Sequence, residues 1–338
     1  MFLIISEIYL FLFRTHVKLG NRHKLSVGTE YIVDVLKSQT DNIAKEDAYT
    51  LALFAQDEIK LLRNLQALIG VRYIYHENFK NHATPNVALM YKPGKFNFRA
   101  SYAAGFRTPT LSELYATDIA KKNDRLTIGN LDLKPEKNNY FSLSAEYVHE
   151  RFSVSVNAFY NNIRDMIDYN TIATGDKAME QYGHKEVRQR DNIAEAKVHG
   201  INVSANAYLG AGFNLSGGYT HLNTQDVELE QPIDKSIKNA YNINAQWAHS
   251  WKIYRLNINL NGRINSKRFS KSYGYAPEYQ LWDLNTRHSF NLKSVIIEPG
   301  FGMENLFDYM DDRPYNSNYA TLTPGRSFYI SLSLKFKS

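Results

Sequence analysis

Apolar residues recur at every second position, in stretch after stretch of about ten residues, through most of this chain. In 201–209, Ile201, Val203, Ala205, Ala207 and Leu209 alternate with Asn202, Ser204, Asn206 and Tyr208. In 254–265, Tyr254, Leu256, Ile258, Leu260 and Ile264 alternate with Arg255, Asn257, Asn259, Asn261, Arg263 and Asn265. The last stretch sets Phe328, Ile330, Leu332, Leu334 and Phe336 against Ser327, Tyr329, Ser331, Ser333 and Lys335. A period of two is a strand with one apolar and one polar face. Helical periodicity is confined to a short stretch near Leu111–Ala116. The pattern predicts an all-β chain of about 15 strands, mostly longer than the five or six residues usual in soluble sheets.

The connections carry as much information as the strands. Short turns are expected near Gly20–Arg22, Leu61–Arg63, Lys92–Lys95, His149–Arg151, Leu209–Gly212, Trp251–Ile253 and Lys293–Val295. Longer loops fall between them, at about 34–47, 77–83, 106–136, 164–191, 223–236 and 266–278, with a last one over 309–324. Short and long connections alternate, so all short turns lie at one end of the sheet and all long loops at the other. This is the organisation of an up-and-down antiparallel transmembrane β-barrel, whose tilted strands of about ten residues cross the bilayer. A sandwich or propeller also alternates apolar and polar residues. Against these stand the long strands, the segregated loops, and the aromatic residues near strand ends: Tyr31, Tyr49, Tyr91, Tyr147, Tyr160, Trp247, Trp251 and Trp282. The mean hydropathy of −0.44 excludes a bundle of membrane helices but not half-apolar strands.

Other classes fall away on composition. With no Cys there is no disulfide framework, thiolate metal site or cysteine nucleophile. The net charge of +6 is spread thinly and does not mark a nucleic-acid partner. No zinc-protease, nucleophile-elbow or Walker pattern occurs, so no enzyme, catalytic residue, metal site or cofactor is expected. The opening run MFLIISEIYLFLF lacks a basic leader region and is interrupted by Glu7. It reads as the ragged start of a longer protein, with residues 1–10 of uncertain structure and 11–338 as barrel. A single-chain bacterial barrel has an even number of strands. The first strand, near 11–19, is followed by a short turn and the last by none, which gives an odd count and the expectation that strands before residue 11 are absent.

Four local patterns stand in a fixed order. Phe106-Arg107-Thr108-Pro109 ends a strand and runs into Thr110-Leu111-Ser112-Glu113-Leu114-Tyr115, with Thr110 and Glu113 at capping-box spacing. Gly129-Asn130-Leu131-Asp132-Leu133-Lys134-Pro135-Glu136 opens the next strand. Glu304-Asn305-Leu306-Phe307-Asp308 and Thr323-Pro324-Gly325-Arg326-Ser327-Phe328 stand near the end. From about residue 20 onward, this set resembles the C-terminal barrel of TonB-dependent outer-membrane receptors. The resemblance implies a barrel of about 22 strands, of which about seven would be missing here, together with the plug domain and its TonB box. It implies location in the bacterial outer membrane and energised import of a scarce bulky nutrient, foremost an iron chelate (siderophore or haem). Cobalamin or another cargo, and a passive porin-like channel, remain as alternatives. Partners implied are the TonB complex through the plug, outer-membrane lipid and lipopolysaccharide, and the barrel assembly machinery, which would read the terminal strand ending at Phe336. Haem receptors carry a related Phe-Arg-Ala-Pro box and a functional His after it, whereas no His lies in 110–129 here.

The longest loops are expected to hold the ligand, because a rigid wall positions them. Candidate contacts are Arg107, Tyr115, Tyr169, Tyr182, His184, Arg188, Tyr273, Tyr275 and Tyr315. Aromatic faces and cations suit an anionic aromatic chelate. The same residues also read as ordinary solvated loop positions or as contacts to lipopolysaccharide phosphates. The resemblance implies structural roles for Phe106, Arg107, Pro109, Glu113, Leu114, Asn130, Leu133, Pro135, Glu136, Asn305, Leu306, Phe307, Asp308, Pro324, Gly325, Arg326 and Phe336.

Overall fold

The structure is a computed structural model and describes residues 4–38, 43–120, 124–270, 274–311 and 323–337. The chain begins with β1 (Ile4–Leu19), β2 (His23–Ser38), β3 (Ile43–Leu62), β4 (Leu65–His76), β5 (Lys80–Tyr91) and β6 (Phe96–Arg107). A long connection follows with α1 (Leu111–Tyr115), β7 (Asp118–Ala120) and β8 (Arg125–Ile128). Next come β9 (Glu136–Val148), β10 (Phe152–Thr174), α2 (Gly175–Tyr182), β11 (Glu186–Gly210), β12 (Phe213–Asp226), β13 (Asn239–Trp251) and β14 (Tyr254–Asn265). The loop strands β15 (Arg268–Ser270) and β16 (Gly274–Ala276) precede β17 (Tyr279–Asn291), β18 (Val295–Glu304) and β19 (Ser327–Phe336). Setting aside the four short loop strands, fifteen wall strands remain among the described residues. Each pairs antiparallel with its sequence neighbours, as a single up-and-down meander. Among the described residues β1 forms a ladder only with β2 and β19 only with β18, so the wall is open between them.

The register lays out two unlike faces. Met90, Arg99, Ser144, Asn157, Asn202 and Thr220 face one another in a row across six strands. One residue along, the row is Leu89, Ala100, Leu143, Ala158 and Ile201. Because successive side chains point to opposite faces, the first row is the polar, lumenal face and the second the apolar face. Hydrogen bonds cross the polar face, between Ser155 and Ser204 at 2.7 Å and from Asn244 to Asn259 and Asn261 at 2.7 and 2.6 Å. Leu143 and Ile330, by contrast, stand 63% and 78% exposed on the outside, as side chains meant for lipid rather than for a folded core would. Aromatic residues gather toward both ends of the wall. Tyr31, Tyr49 and Tyr75 make tilted ring contacts toward one, and toward the other Trp251 meets Trp247 edge-on and stacks on Tyr254.

Three differences from the sequence-based expectation have physical causes. The first strand starts at Ile4, so residues 4–10 extend the wall rather than precede it. The connection expected at 77–83 shrinks to the three residues Glu77–Phe79, because ring and backbone bonds close it tightly. The His76 ring accepts from the Asn78 amide at 3.1 Å, and His82 bonds the Phe79 carbonyl at 2.9 Å. The loop expected at 164–191 is mostly strand, since β10 and β11 reach 23 and 25 residues and leave only α2 and a few residues between them. The short turns fall where expected, all at one end.

Packed apolar clusters among the described residues lie at the long-loop end and not inside the wall. Leu36, Ala48 and Leu111 form one, with Tyr115 against it. Leu114, Leu133 and Ile167 form a second, which Tyr115 and Phe79 also touch. Ala173, Ala178 and Val187 form a third under α2, with Leu126 and Tyr182. Burying a Leu side chain contributes about 1.5–3 kcal/mol, so these clusters hold the long loop down on β2, β3 and β10.

Candidate ligand-capture face at the long-loop end

Pro109 lacks the N–H to continue β6, and the chain turns into α1. Thr110 caps that helix: the Glu113 amide donates to Thr110 Oγ1 at 3.2 Å, and the Thr110 amide donates to Glu113 Oε2 at 2.9 Å. The capping box anticipated from Thr110 and Glu113 is thus present. The β6–β9 register puts Arg107 opposite Glu136. The Arg107 guanidinium donates through Nε and Nη2 to both oxygens of Glu136, at 2.8 and 2.5 Å, and through Nη1 to Glu113 at 2.9 Å. Glu136 also accepts the Ile167 amide at 2.8 Å. One arginine therefore locks the ends of β6 and β9, the cap of α1 and the base of β10. Phe106 stacks on His82 with centroids 3.7 Å apart.

The second half of the long connection is fastened by two asparagines. Asn130 accepts the Asp132 amide at 2.9 Å and donates to the Arg190 carbonyl at 3.0 Å. Asn192 accepts the Lys134 amide at 2.7 Å and donates to the carbonyls of Lys134 and Asp165. Leu133 is buried between these anchors and Pro135 leads into β9. Near the C-terminus, buried Asn305 donates to the carbonyls of Tyr309 and Pro324 at 2.7 and 3.0 Å and accepts the Tyr309 amide at 2.8 Å. Leu306 donates its amide to the Trp282 carbonyl, and Phe307 meets the Trp282 ring edge-on. Asp308 accepts the Arg326 amide at 2.6 Å beside Gly325. Phe336 ends β19, exposed.

Electrostatics supports this frame. Burial would raise the Glu113 carboxyl, but the Arg107 guanidinium and the Thr110 donors outweigh it and hold the group below its ordinary range. A carboxylate with a depressed folded pKa stabilises the fold above its ordinary pKa of 4.5 and loses that contribution as pH falls through the lower folded value. Amide protection at Glu113 and Asn130, followed by hydrogen exchange, should therefore fall on acidification below about 4.5, and Glu113→Gln should flatten the dependence. Unchanged protection through that range would remove Glu113 as the cause.

Above this frame the lumenal face of β10 and β11 rises past the wall. Tyr169 faces Arg190 across the ladder, and the guanidinium carbon sits 3.8 Å from the ring centroid. Arg188 lies one step along the same face and donates to Glu186 at 2.6 Å. β8 runs parallel beside β11, placing Arg125 opposite Glu186, with its buried Nε unpartnered. His184 bonds Asp124 at 2.9 Å, and that hydrogen bond holds the Asp124 carboxyl below its ordinary value. Tyr182, the last residue of α2, packs against Ala173, Ala178 and Val187. On the β15–β16 hairpin, Tyr275 is 56% exposed and meets Phe269 edge-on at 5.3 Å. The structure thus brings Tyr169, Tyr182, His184 and Arg188 to one rim. It places Arg107 and Tyr115 in the frame beneath, and Tyr275 on a separate hairpin. Tyr273 and Tyr315 lie outside the described residues. Arg190 and Arg125 join these candidates through the β10–β11 and β8–β11 registers, which bring them to the same rim. Pairing positions symmetrically about the hairpin would have matched 169 with 190.

Residues 7–306 match the model of the "TonB dependent receptor-like, beta-barrel" family. Among solved structures, the chain is similar to a ferric enterobactin receptor from Pseudomonas aeruginosa, with TM-score 0.81 and 19% identity over 99% of this chain and 54% of that one. The siderophore receptor PirA from the same organism superposes with TM-score 0.77 and 19% identity, over 99% of this chain and 57% of that one. A copper transporter, OprC, matches with TM-score 0.75 and 11% identity, over 97% and 57%. The chain spans a little over half the length of these structures. At such identities the likeness concerns the fold.

Proposed function

We propose, from the premise that this chain belongs to the TonB-dependent receptor family as a β-barrel of its outer-membrane wall, that its long-loop end captures an anionic, aromatic iron chelate for energised import. The family comprises receptors and transporters of the Gram-negative outer membrane, not enzymes. The observation that carries the cargo class is Arg190 over Tyr169, with Arg188 beside them on the lumenal side of the rising hairpin. A guanidinium stacked on a phenol offers a cation and a flat face together, and negatively charged catecholate rings need both. In this reading the captured chelate passes to a plug domain that engages the TonB complex. β19 serves as the strand that the assembly machinery recognises, its apolar face set in lipid.

The test is a fluorescence titration of the detergent-refolded chain with a ferric tris-catecholate. Replacing Arg188 and Arg190 together by Ala should weaken binding by about tenfold or more, since charge-assisted contacts contribute roughly 1.5–3 kcal/mol each. Equal affinity in the double variant, with heat-modifiable mobility retained, would refute the assignment.

A further inference from the structure

Two histidines close the β4–β5 connection at the long-loop end, and cargo capture uses neither. His76 ends β4 and is 4% exposed. Its Nδ1 accepts the Asn78 amide at 3.1 Å. An amide N–H only donates, so that nitrogen carries no proton and the ring is neutral. His82 of β5 bonds the Phe79 carbonyl through Nε2 at 2.9 Å. A carbonyl only accepts, so this nitrogen carries its proton. Acid therefore acts on the two rings in opposite senses. Protonated His82 keeps its donation and gains a charge over the Phe106 ring on which it already stacks at 3.7 Å. Protonated His76 has a donor aimed at a donor, in a seat closed to water.

The seat of His76 adjoins the frame of the long connection. Its ring meets Phe79 with centroids 5.0 Å apart, and Phe79 packs on the cluster of Leu114, Leu133 and Ile167. That cluster joins α1 and the stretch before β9 to β10. The charged groups around His76 are few. Glu77 stands beside it, and its carboxylate accepts the Tyr49 amide of β3 at 3.2 Å. Lys80 is the ladder partner on β5, with His82 two residues on. The partner on β3 is Thr50, which carries no charge. Beyond Phe79, Arg107, Glu113 and Glu136 are already tied in one fork. Burial pushes the His76 ring below its ordinary pKa of 6.5, His82 pushes the same way, and Glu77 opposes both. A histidine buried neutral supports the fold fully above that ordinary value. The support is lost as pH falls through the lower folded value.

We propose that His76 is an acid-released latch: protonation of its ring empties the seat beside Phe79 and loosens the long connection over 106–136. This goes beyond cargo capture and does not depend on it. The test is amide hydrogen exchange of the full chain in zwitterionic detergent, read as protection factors from about pH 7.5 down to about pH 5. Protection at Asn78 should fall by about tenfold or more. A smaller fall is expected at Lys134, whose amide is held by Asn192. Lys92, bonded to the Asn64 carbonyl at the short-turn end, should not change. Glu113 is held below its ordinary value of 4.5, so its titration falls outside this range. His76→Asn puts an amide oxygen where Nδ1 stands and cannot titrate, so its profile should be flat. His76→Phe keeps a ring without an acceptor, and Asn78 should be unprotected at every pH. His82→Gln retains a donor for the Phe79 carbonyl and should keep the wild-type fall. A flat wild-type profile would overturn the proposal. So would a fall that persists in His76→Asn or vanishes in His82→Gln. The wild-type and His82→Gln profiles decide even where a His76 variant loses its heat-modifiable mobility.

Discussion

Replacing Gly212 by Val is expected to prevent the chain from reaching its folded form. Gly212 sits in the two-residue connection between β11 and β12 with φ at +88°, and its carbonyl accepts the Ala248 amide of β13 at 3.0 Å. A Cβ placed there would lie 1.9 Å from the Ala248 carbonyl oxygen. Backbone strain alone costs about 1–3 kcal/mol for a side chain at such a φ. The clash is with main chain, so relief requires moving β13 away and breaking the bond that joins the turn to it. Gly20 supplies the comparison. It also has positive φ, at +63°, but nothing lies within 4 Å of its Cβ position. Gly20→Ala should keep the heat-modifiable electrophoretic mobility of a folded barrel wall, with a melting point only slightly reduced. Gly212→Val should lose both the mobility shift and the β-sheet circular dichroism. Similar behaviour of the two variants would mean that φ, not the approach to β13, governs the turn.

Asn305→Leu should produce the second large loss. Asn305 is 4% exposed, has φ at +52°, and makes three hydrogen bonds to the backbone of Tyr309 and Pro324. Leaving buried backbone groups without that partner costs about 1–3 kcal/mol each. Leu is also poorly suited to left-handed backbone, where Asn is tolerated. The sum, on the order of 3–6 kcal/mol, is comparable with the net stability of many domains. The melting temperature in detergent should drop by many degrees, and the Tyr309 amide should exchange freely. Asn305→Asp keeps the acceptor for Tyr309 and gives up the two donations, so it should fall between. Full protection of Tyr309 in the Leu variant would show that other contacts hold this connection.

The wall was legible because its chemistry has a strict period. Asn202, Ser204 and Asn206 opposite Ile201, Val203 and Ala205 leave no doubt about which face meets lipid, and the short turns follow from where that pattern pauses. Legibility ended where both faces meet water. Above the wall, Asp168 and Asn170 on β10 and Gln189 and Asp191 on β11 put polar residues on either side, so the two-residue period vanishes although the ladder continues. That is why the rising hairpin looked like a loop. The frame beneath it was half legible. Thr110 and Glu113 are close in sequence and announce their cap, whereas the Arg107–Glu136 fork joins positions 29 apart and needs the register of β6 on β9 to be seen. α2 was missed because its one buried residue is Ala178, too small to mark an apolar stripe.

The neighbour-only pairing of the wall strands bears on how such a molecule can change over evolutionary time. A strand inserted or lost singly would send every later long loop to the wrong side of the bilayer. Gain or loss of two strands with their connecting turn leaves every other strand on its old heading. Among these fifteen strands, the hairpin is therefore the smallest step by which the molecule can widen or narrow while its long loops stay on one side. Within any one hairpin the long connection is free to vary, because the ladders that set its two feet run through the short turn at the other end.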